Sequence, residues 1–329
     1  MRFGLFSVAD HYPRELPRTS DQLFGELLDQ VQAAEELGFE SFWIAEHHFH
    51  EYGGIPSPPV WLAAAAVRTR RIRLGAAVVV LPFRNPLLVA EEYAMVDVLS
   101  GGRLNLGAGS GYLQHEFAGF GLDPGDKRER FDEALDVVLK AWTGERFSYR
   151  GRFHTVRDVQ LNVVPLQKPR PPVWIAVLRN EAAAQVGKKG FPVMMIPYAT
   201  TEHIAELAET VTAFRDAFAE GGGDPRDATV PFGLHTYVSD SFPSATAEAR
   251  PAMDRYVRTR LYARQRPYET LVDKHLIAFG GPEDVIRVAR RYEQAGLTDF
   301  LAIMNFGGLE HASVLRSMEL MARHVFPAF

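Results

Sequence analysis

The sequence predicts an α/β chain closed into a (β/α)8 barrel, the TIM-barrel architecture, with residues 1–329 forming one domain. Three observations lead there. Short apolar runs alternate with longer amphipathic stretches from end to end, the order that produces βα units and a mainly parallel sheet. Eight such units follow one another, and the run over 72–81 is almost continuously apolar, as a strand covered on both faces requires. No Pro/Gly/Ser-rich linker or low-complexity tract interrupts the 329 residues, a length within the range of one such barrel.

The elements follow in order. The first strand covers 2–7, and a helix over 21–37 sets Leu23, Leu27, Leu28, Val31 and Ala34 on one face before Gly38 stops it. The second strand is 42–45, with an Ala-rich helix at 59–67 behind it. The third, 72–81, leads to a helix over 86–99 entered through Pro86. The fourth, 104–108, reaches its helix at 130–142 through a Gly-rich loop. Residues 144–162 break the rhythm, and Phe147, Tyr149, Phe153 and Val156 predict a small β insertion there. Alternation resumes with strand 173–177, helix 181–189, strand 193–196, helix 202–219, strand 230–238 and helix 245–260. Residues 261–280 read as a long excursion, ahead of helix 282–294, strand 300–304 and a last helix over 310–325.

Composition narrows the function. Lys and Arg number 36 against 41 Asp and Glu, a formal charge of -5, so no basic surplus exists to hold a polyanion and no nucleic-acid partner is expected. The absence of cysteine removes disulfides, thiolate metal sites and cysteine nucleophiles together, and fits a reducing compartment. Residues 1–7 lack the apolar core of a leader, and no apolar run reaches about 18 residues. A cytoplasmic protein without a membrane partner is expected.

In βα barrels the chemistry sits at the C-terminal ends of the strands, so the side chains that follow each apolar run carry the functional reading. The second run ends in Glu46-His47-His48-Phe49-His50, the fourth in Gly109-Ser110-Gly111-Tyr112 and the fifth in Leu178-Arg179-Asn180; His235 lies in the seventh and Phe306 follows the eighth. The His48-Phe49-His50 spacing is that of a metal-binding strand end. A metal would need further ligands, yet the fifth and sixth strand ends offer Arg179, Asn180 and Tyr198, and an organic cofactor ranks above it. The ordinary reading of His50 is a loop residue bonded to backbone, whereas His47 directly follows a buried strand. Gly107-x-Gly109-x-Gly111 lets backbone approach a flat or anionic ligand, or makes a tight strand-to-helix connection. Arg179-Asn180 ahead of a helix suits an anion, or is a surface Arg beside an N-cap.

These residues resemble the bacterial luciferase-like flavin monooxygenases. The match runs through Met1-Arg2-Phe3-Gly4, Phe42-Trp43-Ile44-Ala45-Glu46-His47-His48-Phe49, Leu74-Gly75-Ala76-Ala77-Val78-Val79-Val80-Leu81-Pro82 and Ser100-Gly101-Gly102-Arg103-Leu104-Asn105-Leu106-Gly107. It continues through Glu116-Phe117, Phe120-Gly121 and Gly280-Gly281-Pro282-Glu283 to Asn305-Phe306-Gly307-Gly308, nearly the whole chain. The resemblance implies the same barrel, reduced FMN (FMNH2) and O2 as reactants, and a flavin C4a-peroxide as oxidant, which needs a dry cavity and an anchored phosphate. His47 looks like the family's catalytic histidine, and Glu46 like a neighbour that orients the flavin. Ala77 and Val78 sit where the family often has a non-proline cis peptide against the isoalloxazine; their ordinary reading is barrel core. The cofactor-binding set expected is Ala77, Val78, Asn105, Gly109, Ser110, Tyr112, Arg128, Leu178, Arg179 and Asn180. Arg128 matches a phosphate-contacting arginine, and Arg179 is expected to restore the positive charge that Ser110 lacks relative to the luciferase α chain.

The resemblance further implies a lid at 261–280 that closes over the flavin, a homodimer, and a separate NAD(P)H-dependent flavin reductase as partner, since no nicotinamide fingerprint stands in the chain. Phe6, His11, Tyr198, His235 and Phe306 are candidates for a partly aromatic pocket, suited to a small apolar or aromatic substrate. The resulting expectation is a two-component FMN-dependent monooxygenase with no metal. An F420-dependent oxidoreductase on the same barrel and a flavin-binding protein without turnover stand as alternatives.

Overall fold

The computed structural model describes residues 1–260 and 265–329. Its elements are β1 (Arg2–Ser7), α1 (Ser20–Leu37), β2 (Ser41–Ile44), α2 (Pro58–Arg68), β3 (Arg73–Val80), α3 (Pro86–Ser100), β4 (Leu104–Gly109), α4 (Gln114–Gly119), α5 (Lys127–Trp142), β5 (Phe147–Arg150) and β6 (Thr155–Val159). The second half holds β7 (Val173–Val177), α6 (Asn180–Lys188), β8 (Val193–Met195), α7 (Pro197–Thr200), α8 (Ile204–Glu220), β9 (Pro231–Val238), α9 (Phe242–Thr259), α10 (Tyr268–Asp273), β10 (Ala278–Gly280), α11 (Pro282–Gln294), β11 (Asp299–Asn305) and α12 (His311–Leu320).

Local chemistry sets the helix ends. Thr19 and Gln22 form a reciprocal capping box that opens α1, whose buried face is Leu23, Leu27, Val31 and Ala34. Asn85 caps α3 by accepting from the amide of Leu87, with Pro86 in its first turn. The first βα unit thus turns back onto the sheet with its apolar stripe inward.

Eight parallel strands close into a barrel in the order β11-β1-β2-β3-β4-β7-β8-β9, with β9 returning to β11. Registers such as Leu5 with Phe42, Trp43 with Gly75, and Gly75 with Asn105 bring equivalent positions of successive strands to one level. The eight-strand barrel expected from the alternation is the architecture observed. Within the lower barrel Trp43 and Trp174 pack edge to face at 5.5 Å, so the interior there is filled by side chains. The upper end, where β1–β4, β7–β9 and β11 finish, is open enough to hold a cavity.

Several connections carry elements of their own. The loop after β4 carries the short helix α4, and α5 begins at Lys127 rather than residue 130. Residues 147–159 form an antiparallel hairpin, β5 with β6. Of the excursion over 261–280, residues 261–264 lie outside the described residues; the remainder contains α10 and β10, and β10 pairs parallel with Thr236, Tyr237 and Val238 of β9. No helix among the described residues is long and apolar enough to cross a membrane.

Candidate active site

A cavity of about 240 Å³ opens at the C-terminal ends of the strands. It is built from the floor upward: Phe6 and Val8 from the end of β1, Gly233 from β9, and Leu301 and Ile303 from β11 supply an apolar base. Met194, Met195 and Ile196 extend one wall.

The segment after β2 supplies the titratable centre. His47 is buried, and its Nδ1 lies 3.1 Å from Glu116 Oε1. The same carboxylate oxygen accepts the His48 amide at 2.9 Å, so α4 reaches across to hold the backbone and the imidazole together. Burial pushes His47 below the usual histidine range, while the bond and charge of Glu116 pull it back up. A neutral imidazole facing a carboxylate through Nδ1 carries its proton there, which leaves Nε2 as the acceptor. Glu46 is enclosed too: its Oε1 meets His48 Nε2 at 3.1 Å and its Oε2 accepts the Val80 amide at 3.4 Å. Burial raises the Glu46 carboxyl, opposed by His48 and Arg84. Gly53 passes so close that a Cβ there would stand 2.5 Å from His47 Cβ.

One flank is apolar and flat. Ala77 and Val78 border the cavity where the β3–β4 register shifts, and the peptide bond between them is cis. Gly109 at the end of β4 leaves room for Val78: a Cβ at Gly109 would come within 2.6 Å of Val78 Cγ2. Leu178 and Ala176 complete this side.

Cations gather at one part of the lining. Ser110, Lys127, Arg128 and Arg179 all border the cavity; Lys127 Nζ donates to the Gly111 carbonyl at 3.4 Å, and Arg128 donates to Gln185 Oε1 at 3.1 Å. Arg179 directly precedes α6, whose first-turn amides add to the positive potential. Asn180 is the first residue of α6, and its side chain lies outside what is described.

Phenols form the remaining wall. Tyr52, Tyr112, Tyr198 and Tyr256 border the cavity. The Tyr52 ring lies 4.6 Å from that of His47, and the Tyr256 hydroxyl is 3.1 Å from the Tyr52 hydroxyl and 2.9 Å from that of Tyr198.

Of the residues singled out by sequence, Glu46, His47, Ala77, Val78, Gly109, Ser110, Tyr112, Arg128, Leu178, Arg179, Phe6 and Tyr198 come together here. Four do not. Asn105 belongs to the opposite end of the barrel: its Oδ1 accepts from Arg73 Nε at 2.7 Å, and it lines a separate cleft with Trp43 and Trp174. The reason is position along the strand, since Asn105 stands four residues before Gly109, roughly 13 Å lower. His11 is engaged by the carbonyl of Arg18 at 2.8 Å. His235 is fully enclosed by Tyr198, Tyr256 and Phe306, and burial lowers its imidazole to about 3. Phe306 is equally buried and stacks on Phe279. Conversely, Tyr52, Tyr256, Lys127 and the two methionines were not anticipated, and Glu116 figured only as a motif residue. Among the described residues no group of three His, Asp or Glu side chains is arranged to hold a metal ion.

Comparison with known proteins places this geometry. A family model described as luciferase-like monooxygenase matches residues 1–299. The chain is 30% identical over 314 residues to limonene 1,2-monooxygenase of Rhodococcus erythropolis, covering 92% of this chain and 80% of that protein. It is 26% identical over 352 residues to the oxygenase component of a flavin-dependent trigonelline monooxygenase of Acinetobacter baylyi, covering 100% and 96%. It is also 32% identical over 182 residues to an F420-dependent glucose-6-phosphate dehydrogenase of Amycolatopsis mediterranei, covering 53% and 54%. Among solved structures, the monooxygenase RslO1 from Streptomyces bottropensis superposes with a TM-score of 0.93 at 30% identity over 99% of both chains. The chain belongs to the luciferase-like monooxygenase family.

Proposed function

We propose that this protein is an FMNH2- and O2-dependent monooxygenase acting on a small apolar or aromatic compound. The observation that carries the reading is the cavity whose lining brings together an oriented, buried imidazole, an apolar flank and several cations. The residues suit FMN: Ala77 and Val78 offer an apolar flank to a flat ring, and Lys127, Arg128, Arg179 and the Ser110 hydroxyl match a phosphate. Bound reduced FMN would supply the electrons that activate dioxygen. The chain's own contribution is to bind, to exclude water with the Phe6, Ile303 and Met194 surface, and to accept or return a proton at His47 Nε2. Arg179 is proposed to share phosphate neutralisation with Arg128.

The oxygenase-component relative supports a separate flavin reductase as partner. Val60 and Val67 of α2 and Leu88 and Met95 of α3 are large exposed apolar side chains, which supports a homodimer through these helices; sedimentation equilibrium checks it. A lid role for the segment around α10 is proposed from its place beside the cavity, where Arg266 donates to the carbonyl of cavity-lining Tyr198 at 2.6 Å. The F420-dependent relative favours one second reading, hydride transfer with F420 on the same barrel.

The deciding experiment titrates the protein with FMN, FMNH2 and F420 and then follows oxygen consumption and substrate oxygenation with a flavin reductase present. Preference for FMNH2 with oxygen incorporated into substrate supports the proposal. Tight F420 binding without oxygen uptake replaces it by the second reading.

A further inference from the structure

The lower mouth of the barrel holds a second cavity, of about 490 Å³, a size that suits a small molecule. Asn105, which the upper site does not use, stands in its wall. Trp43 and Trp174, which fill the lower barrel, line it together with Pro169, Pro172 and Pro192. The two indole N–H groups donate to the hydroxyls of Ser41 and Thr229, each at 2.9 Å, so what these rings offer the cavity is apolar surface.

Charge is divided unevenly around this mouth. Beside β1, Arg2 pairs with Asp299 at 2.7 Å and its charge also reaches Glu40. Beyond β8, Arg226 pairs with Asp224 at 2.5 Å and stands near Asp227. The wall built by the adjacent strands β3, β4 and β7 is different. Arg73 donates from Nε to Asn105 Oδ1 at 2.7 Å and from Nη2 to the Leu104 carbonyl and Gln167 Oε1, both at 2.9 Å. Its Nη1 meets no acceptor among the described residues. The charge of Asp97 reaches Arg73, but both Asp97 oxygens are bonded to Gln167. A guanidinium only donates, so Arg73 fixes which end of the Asn105 amide is oxygen. The Nδ2 hydrogens of Asn105, a residue 4% exposed, are likewise without an acceptor among the described residues. Arg170, just ahead of β7, is half-buried; it donates to the neighbouring Pro171 carbonyl at 3.2 Å and stands 5.6 Å from the Phe191 ring centroid. Burial alone lowers it from the usual arginine value.

We propose that this cleft is a second ligand site, for a small aromatic carboxylate whose oxygens are held by Arg73, Arg170 and the Asn105 amide and whose ring lies against Trp174. Desolvated donors without acceptors are costly, and a two-oxygen anion answers several of them at once. A cation would meet two guanidinium groups on this wall, and a hydrocarbon would leave its donors unanswered. The half-buried Trp174 ring and the three prolines supply the surface for an apolar body. The site is separate from the upper cavity and does not depend on the monooxygenase reading.

The test uses the full chain and two probes of one shape, 4-nitrobenzoate and its uncharged counterpart 4-nitrobenzamide, with binding followed by quenching of tryptophan fluorescence. Expected is an affinity for 4-nitrobenzoate at least about tenfold above that for 4-nitrobenzamide. Arg170→Ala and Asn105→Leu should each weaken 4-nitrobenzoate about tenfold, whereas Arg128→Ala, which alters the upper cavity, should leave it unchanged. Equal affinity for the two probes overturns the inference, and that comparison needs no variant to fold. Loss of binding in Arg128→Ala with Arg170→Ala unaffected puts the probe in the upper cavity and overturns it too. Displacement of 4-nitrobenzoate by an equal concentration of inorganic phosphate overturns the aromatic carboxylate as the ligand class.

Discussion

One carboxylate oxygen of Glu116 serves both His47 Nδ1, at 3.1 Å, and the amide of His48, at 2.9 Å. A helix after β4 thereby fixes the tautomer and the orientation of an imidazole at the end of β2. On the proposed reaction Glu116 would act through His47, as a positioning group.

Glu116→Gln should lower kcat about tenfold to a hundredfold, within the usual contribution of general acid–base catalysis, while FMN affinity stays within about twofold. The pH profile separates this from simple loss of structure. Glu116 raises the His47 pKa against burial, so its neutralisation should move the acid limb of the rate profile to lower pH. An unmoved limb defeats the positioning role.

Gly53 leaves no room for a methyl group beside His47. Gly53→Ala should displace the imidazole, reducing kcat by about tenfold, and should cost about 1–3 kcal/mol of stability as overpacking. Thermal unfolding read beside kcat tests it: normal activity with normal Tm means the loop yields freely and the contact is unimportant.

Arg128 and Arg179 are proposed to divide the FMN phosphate between them. Each Ala substitution should weaken FMN binding at least about tenfold, as expected for a charge-assisted hydrogen bond, and should flatten its dependence on salt. Isothermal titration at two ionic strengths measures both. Indifference to Arg179→Ala alongside abolition by Arg128→Ala removes the compensation between Arg179 and Ser110.

Asp10 gives a pH prediction about stability. Its carboxylate accepts from Tyr12 at 2.6 Å and from the Gly307 amide at 2.5 Å, but burial dominates and raises the group from 3.8 to about 6. A carboxyl raised on folding favours the fold when protonated, so this contribution is full below about pH 4 and is lost as pH rises through about 6. Asp10→Asn keeps an acceptor and removes the charge. Its stability relative to the parent should rise between pH 5 and pH 8, by roughly 1.4 kcal/mol. Chemical denaturation at the two pH values checks the sign; a constant difference rejects it.

How much was legible depends on which physical rule a residue answers to. The eight strands and their order were readable because alternating apolar periods leave few arrangements once connections must be short and right-handed. Glu46, His47, Ser110 and Arg179 were readable for the same reason, since each follows directly on an apolar run and parallel topology carries every such end to one mouth. Asn105 failed this rule: it opens a strand rather than closing it, and so sits at the far mouth with Arg73. His235 obeyed the alternation, lying two residues beyond cavity-lining Gly233, yet Tyr198 and Tyr256 cover it.

Chain order alone therefore determined the barrel and the end of it that carries chemistry, because periodicity and connectivity are local properties. Tertiary packing decided the partners. Glu116 meets His47 across 69 residues, and the hydroxyls of Tyr52 and Tyr256 meet across 204. Contacts of that span depend on which side chain covers which once the barrel has closed, and no local period encodes that.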